Sequence, residues 1–394
     1  MALVDIWKSS PEQLKGKTVQ QILSFAGNGT LRDGNETSEE FRTYLAHVTS
    51  STLAEHASFC LNNKFTDSGL ALQDVVNQIG KRLGFAIEYG RYRGVRNEVG
   101  FDGIWKSKSG ESILVEVKTT DAYRLSLDTT ANYRKKLIKA GELQEEHSSI
   151  LYVLGRSDTG DLEAQVRGSR HAWDIRLIKL DALLRLLSVK EELDDVETFD
   201  KIRAILRPKE YTLVDEIVDL VFTATQDAVS DDVEEEDATI DSRPNPQPKG
   251  KKFTTANFRA PCVERLQKHL GETLVKQSAA TFSTPDDSLG VLVPISREYH
   301  DRSKGTNYWF GYHRKQHEAL AQYDKALIAF ACGTEEQIVL IPREELNGWL
   351  DFFNTTTGED KHYWHIHLVH VEKTWILETK QEFEHIDVTK YFLK

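Results

Sequence analysis

Three side chains in the stretch 101–121, FDGIWKSKSGESILVEVKTTD, have the types and spacing for metal-assisted chemistry on a phosphate: Asp102, Glu116 and Lys118. Two extended runs, 99–105 and 112–118, flank the polar segment KSKSG. Its glycine and serines supply turn chemistry, so the spacing predicts a β-hairpin. Side chains alternate along the second run, which puts Leu114, Glu116 and Lys118 on one face and Ile113, Val115 and Val117 on the other. Asp102 comes from the first run, between Phe101 and Gly103. Charges in so apolar a setting are rarely buried unless paired or metal-bound. Two carboxylates drawn together by a hairpin repel, and a hard divalent cation such as Mg²⁺, which prefers oxygen ligands and keeps several waters, resolves the repulsion. Such an ion lowers the pKa of a bound water and stabilises charge growing on a phosphate. Lys118 would orient or deprotonate that water, or neutralise the phosphorane. The plainer alternative is a surface hairpin carrying a Glu–Lys ladder pair; the sequence on both sides favours the chemical reading.

Asp102, thirteen intervening residues and then Glu116-Val117-Lys118 resemble the PD-(D/E)XK phosphodiesterases, the restriction-endonuclease-like nucleases. Phe101 stands where that motif often has proline. The resemblance covers roughly residues 66–190 and implies an α/β fold with an αβββαβ core. It further implies hydrolysis of DNA phosphodiesters by a metal-activated water, with Asp102, Glu116 and Lys118 catalytic. Asp102, Glu116 and Val117 would be the metal ligands, and Mg²⁺ the cofactor, with Mn²⁺ as a substitute. In many members the first core helix presents a Glu, or in some branches a Gln, to the metal. Counting back from Gly84-Phe85 puts Gln73 there, with Asp74 beside it; the alternative is that both are solvated helix residues. Glu98, four residues before Asp102, is a further acidic candidate.

The surrounding elements follow the same order. Leu72, Val75, Val76, Ile79 and Leu83 give 69–84 one apolar helical face ended by Gly84. Strand 85–89 and a basic loop with Arg91, Arg93 and Arg96 lead into the hairpin. After it, 123–143 reads as a helix and the apolar run 149–155 as a central strand covered on both faces. Residues 177–178 belong to another strand, and 181–187 and 215–222 to closing helices. Between the strands 149–155 and 177–178, Arg167, Gly168, Arg170 and Trp173 interleave cations with an indole, which suits phosphate and sugar contact; the alternative is a helical surface with one buried Trp. Residues 11–26 and 38–61 read as helices of an N-terminal extension, with Ser38 as a plausible N-cap, and bracing as the plainest role.

Composition sets the outer bounds. The 394 residues suit two or three domains. No apolar run is long enough for a transmembrane helix, and the N-terminus lacks the apolar core of a signal peptide. Cys60, Cys262 and Cys332 lie far apart, as thiols of a reducing compartment rather than a disulfide frame or zinc site. A cytoplasmic protein is expected. The net charge of −12 is concentrated in the acidic stretch 227–241, so it does not exclude a basic cleft elsewhere.

The expected organisation is a helical extension over 1–65, the nuclease domain over 66–225, an acidic and proline-rich linker over 226–252, and a separate C-terminal α/β (α+β) domain over 253–394. In the last, Tyr308, Trp309 and Tyr312 with Arg314 and Lys315 would stack on bases and hold phosphates, against the alternative of an aromatic strand in the core. His362, His365, His367 and His370 lack a standard metal spacing and read as a polar strand face. No P-loop, GxSxG or HExxH is present. The whole reads as a restriction or defence endonuclease acting on double-stranded DNA, a homodimer, with the C-terminal domain for recognition or regulation. The alternatives are a repair nickase and a DNA-binding protein whose nuclease fold is catalytically spent.

Overall fold

The computed structural model describes residues 2–92, 99–119, 124–155, 158–192, 200, 203–208, 255–301, 305–357 and 362–393. The linker expected over 226–252 and the helix expected over 215–222 lie outside the described residues, as do Arg93, Arg96 and Glu98. The described residues divide into two compact units, the first built from those up to 190 with 200 and 203–208, the second from 191–192 and those from 255 on. It is a mixed α/β protein.

The first unit opens with four helices: α1 (Ala2–Ser9), α2 (Val19–Phe25), α3 (Glu36–His47) and α4 (Ser50–Asn62). The single helix expected over 38–61 is two, because Val48 and Thr49 are extended and Thr49 caps α4 by accepting the Thr52 N–H at 3.2 Å. Asn35, rather than Ser38, caps α3, accepting the Ser38 N–H at 3.0 Å. Helix α5 (Ser68–Arg82) follows and ends at Gly84, whose φ of +91° is open to glycine and costly for other residues. The Arg82 guanidinium donates to the carbonyls of Leu45 and Val48 and to Ser50 Oγ, so the last turn of α5 satisfies the end of α3. The Arg42 Nε donates to buried Asp74 at 3.0 Å, and the guanidinium lies over the Tyr89 ring at 4.0 Å. The extension is therefore part of the first unit's packing.

Strands β1 (Ala86–Tyr89), β2 (Gly103–Lys106) and β3 (Ser112–Lys118) form an antiparallel meander. Helix α6 (Leu127–Lys139), β4 (Ser148–Leu154), α7 (Gly160–Arg167), β5 (Ile175–Lys179) and α8 (Leu180–Glu192) complete the unit. β4 pairs parallel to β3 and β5 parallel to β4, giving the order β1-β2-β3-β4-β5. Ile104, Leu114, Ile150 and Tyr152 bury one sheet face with Leu137 of α6 and Leu162 of α7. The other face meets α5, where Gly80 lies so close to the Trp105 ring that a Cβ would stand 2.4 Å from it. At the hairpin tip Gly110, at φ +89°, makes the expected turn by donating to the Ser107 carbonyl.

The second unit begins with α9 (Thr255–Leu270) and carries two six-stranded sheets. One contains β6 (Val275–Lys276), β7 (Thr281–Ser283), β8 (Leu289–Leu292), β9 (Ile295–Ser296), β12 (Lys325–Cys332) and β13 (Ile338–Pro342). The other contains β10 (Tyr299–Asp301), β11 (Gly305–His313), β14 (Thr355–Thr357), β15 (His362–Val371), β16 (Thr374–Glu378) and β17 (Ile386–Asp387). Helices α10 (Arg314–Leu320) and α11 (Arg343–Trp349) follow β11 and β13. Tyr308, Phe310 and Tyr312 of β11 point into the core against residues such as Phe330 and Ile366. Cys60, Cys262 and Cys332 are buried free thiols. Among the described residues no helix is long and apolar enough to cross a membrane.

Candidate active site

Strand alternation decides which side chains of the hairpin can meet. The register pairs Ile104 with Leu114 and Gly103 with Val115, so Asp102, two residues before Ile104, shares the sheet face of Leu114 and Glu116. On that face the Lys118 Nζ donates to Glu116 Oε2 at 2.8 Å, with Glu116 nearly buried and Lys118 partly exposed. Beneath Glu116 its β4 neighbour Tyr152 is buried and donates its hydroxyl to Thr130 of α6. The three residues expected to work together are thus brought to one place.

Asp102 sits where the chain enters β2, and its polar atoms are almost all engaged. Its N–H donates to the Val115 carbonyl at 3.1 Å, and Oδ2 accepts the Val117 N–H at 2.6 Å. Its carbonyl accepts from Gln73 Nε2 at 3.1 Å, Asn77 Nδ2 at 2.9 Å and the Gly90 N–H at 3.2 Å. Oδ1 is left with no hydrogen-bond partner among the described residues. Val117 lies beyond the last β2–β3 pair, and within a strand its carbonyl points the same way as that of Val115, two residues earlier. That direction is toward Asp102.

The electrostatics follow from this crowding. Burial pushes the Asp102 carboxyl above its ordinary range and the neighbouring Glu116 charge pushes it further, against the Val117 N–H and Lys118, which favour its ionised form. Burial alone would lower Lys118, but Glu116 and Asp102 outweigh it and its pKa is raised. In the metal-free protein the two carboxylates thus favour the charged form of Lys118.

Gln73 is at the site but is buried, with its amide nitrogen spent on the Asp102 carbonyl, so it braces the acid's backbone. Asp74 is fully buried, so neither it nor Gln73 is a solvated helix residue. Burial raises Asp74 to about 6 despite Arg42, and Tyr92 hydrogen-bonds to it through its hydroxyl. The Tyr92 N–H also donates to Asp33 at 2.7 Å, which anchors the start of the basic loop beside exposed Arg91. Arg167 is exposed, and Arg170 is exposed but paired with Asp128 at 2.7 Å. Trp173 is 73% exposed, which corrects the alternative of a buried indole.

In the second unit the expected aromatic strand divides by face. Tyr308 and Tyr312 are each 1% exposed and cannot offer a ring face to a base, a correction imposed by the β-strand period of two. Trp309 is half-buried on the outward face, and Arg314 pairs with Glu318 at 2.8 Å while Lys315 is exposed. His365 has one ring nitrogen on the Trp309 indole and the other on Thr356. Among the described residues no group of three or more His, Cys, Asp or Glu converges. Asn77 was missed from sequence; its signal is a polar residue one turn beyond Gln73 on an otherwise apolar helix face. No protein-family model matches the chain, and no curated protein matches it.

Proposed function

We propose that the first unit is a Mg²⁺-dependent DNA endonuclease of the restriction or defence type, built on a restriction-endonuclease-like core. The observation that carries this reading is the convergence of Asp102, Glu116 and Lys118 on one sheet face, with Asp102 Oδ1 left without a hydrogen bond among the described residues. The element order α5-β1-β2-β3-α6-β4 agrees with the αβββαβ order that the resemblance implies.

The donor chemistry fits a hard cation. Asp102, Glu116 and the Val117 carbonyl offer only oxygen, and the Asp102 carboxyl is raised partly by Glu116, a repulsion that a cation relieves. Two carboxylates are enough for Mg²⁺, which completes its shell with water and substrate phosphate. When bound, the ion supplies an acidified water and positive charge for the phosphate. Asp102 is held in place through its backbone. Lys118, beside Glu116, would offer the phosphate a second positive charge and a hydrogen-bond donor to orient the water. Hydrolysis would add the water oxygen to phosphorus, release that water's proton to solvent and break one P–O bond, the departing oxygen taking a proton from solvent.

The second unit would choose the site through Trp309, Arg314 and Lys315, as a homodimer on duplex DNA. The test is cleavage of methylated and unmethylated duplex with Mg²⁺ or with EDTA. Asp102→Ala, Glu116→Ala and Lys118→Ala should each lower the rate by orders of magnitude with circular dichroism unchanged. Full cleavage by any of the three, or in EDTA, would overturn the assignment.

A further inference from the structure

We infer that Asn77 is the positioning residue of Asp102, fixing which of its oxygens is available to a cation; the inference rests on the nuclease reading. Asn77 is 1% exposed on α5, amid the buried Leu72, Val75, Val76 and Ile79. A buried amide in such company costs free energy unless its hydrogen bonds are made. The Trp105 indole N–H, a donor only, reaches Asn77 Oδ1 at 2.9 Å. That contact settles the orientation of the amide, and its NH₂ must face the Asp102 carbonyl at 2.9 Å. Gln73, four residues earlier and so on the same helix face, donates to the same carbonyl.

Two glycines allow this close approach. A Cβ on Gly103 would stand 2.1 Å from Asn77 Oδ1, and one on Gly80 would strike the Trp105 ring. A carbonyl oxygen has two lone pairs, yet the Asp102 carbonyl receives three donors. The Asp102 carbonyl is thus held by α5 while Oδ2 takes the Val117 N–H, and among the described residues Oδ1 is the carboxylate oxygen left without a hydrogen bond. Packing alone would be served by an apolar residue at 77. The use of two buried amides on the backbone of the acid itself points to orientation.

Groups behind a metal ligand typically change affinity or activity by about 10–100-fold when replaced. The full-length chain should be titrated with Mn²⁺ by electron paramagnetic resonance, alongside thermal melts and cleavage assays. Asn77→Asp keeps the acceptor for Trp105 but turns an acceptor toward the Asp102 carbonyl; it should weaken Mn²⁺ about tenfold or more, with cleavage partly restored by raised Mn²⁺. Because a bound ion also stabilises a weakened fold, the thermal melts are run without metal: a wild-type melting temperature in metal-free Asn77→Asp separates lost positioning from misfolding. Gln73→Met removes one donor at similar volume, should give a smaller shift in the same direction, and decides the matter if Asn77→Asp fails to fold. Wild-type Mn²⁺ affinity in folded Asn77→Asp or Gln73→Met, with Asp102→Ala losing it, overturns the inference and leaves the nuclease reading standing. Wild-type affinity and cleavage in Asp102→Ala overturns both.

Discussion

Glu116 stands between a carboxylate that it repels and an ammonium that it holds at 2.8 Å. Its charge therefore moves both neighbours upward in pKa, and each shift can be reversed separately. In metal-free protein, Glu116→Gln should lower the Asp102 titration midpoint by removing the repulsion, whereas Lys118→Met should raise it further by removing a cation. Carbon-detected NMR of the Asp carboxyls would follow both; an unmoved midpoint in Glu116→Gln would show that the two acids do not share a field. The sharing itself was legible in sequence, because a period of two puts Glu116 and Lys118 on one face whatever the fold. Asn77 was not legible, since it acts on a backbone carbonyl twenty-five residues away, and no side-chain pattern records where a carbonyl points. Tyr308 and Tyr312 failed for a related reason: alternation splits an aromatic run, but only β15 and Phe330 decide which half turns inward.

Between elements, the firmest joints are polar. Tyr44 of α3 meets His56 of α4 across 3.1 Å, and burial lowers the His56 pKa to about 4. The unfolded chain then binds the proton more readily than the folded one between about pH 6.5 and 4, so stability present above that window is lost as pH falls through it. Urea denaturation from pH 7.5 to 4 should show this slope, and His56→Gln should flatten it; equal slopes would remove His56 from the acid response. Arg82 joins α5 to α3 through a fork of donors that lysine cannot copy. Arg82→Lys should cost about 1–3 kcal/mol in the same assay, and no loss would mean that water satisfies those carbonyls equally well. The break between α3 and α4 was invisible in sequence because no Gly or Pro marks it; Thr49 makes it by capping, with an apolar period that runs on through it. The helix, strand and hairpin of 69–118 were legible because amphipathicity and turn chemistry agreed there.

At the scale of the molecule, the two units each enclose their own core. Residues 253–394 expressed alone should melt cooperatively, and residues 1–225 should retain weak, poorly selective cleavage. Trp309→Ala in the full-length chain should relax site preference while leaving that basal cleavage, measured as the ratio of rates on preferred and non-preferred duplexes; an unchanged ratio would remove the outward indole from recognition. That the four N-terminal helices belong with the hairpin was not legible in sequence, since the ion pair and carbonyl contacts that join them to α5 span more than thirty residues.

The hydrogen bonds that shape the candidate site all join residues between Gln73 and Lys118. Loop-closure cost grows with the length of chain enclosed, and contacts close in sequence form fastest. One helix docking on one hairpin is enough to set Asp102, Glu116 and Lys118 in relation, before the crossovers through α6 and α7 bring β4 and β5 into the sheet. A chain still leaving the ribosome would thus carry its acids in register ahead of the strand that covers them, so the order of synthesis and the order of assembly run in the same direction.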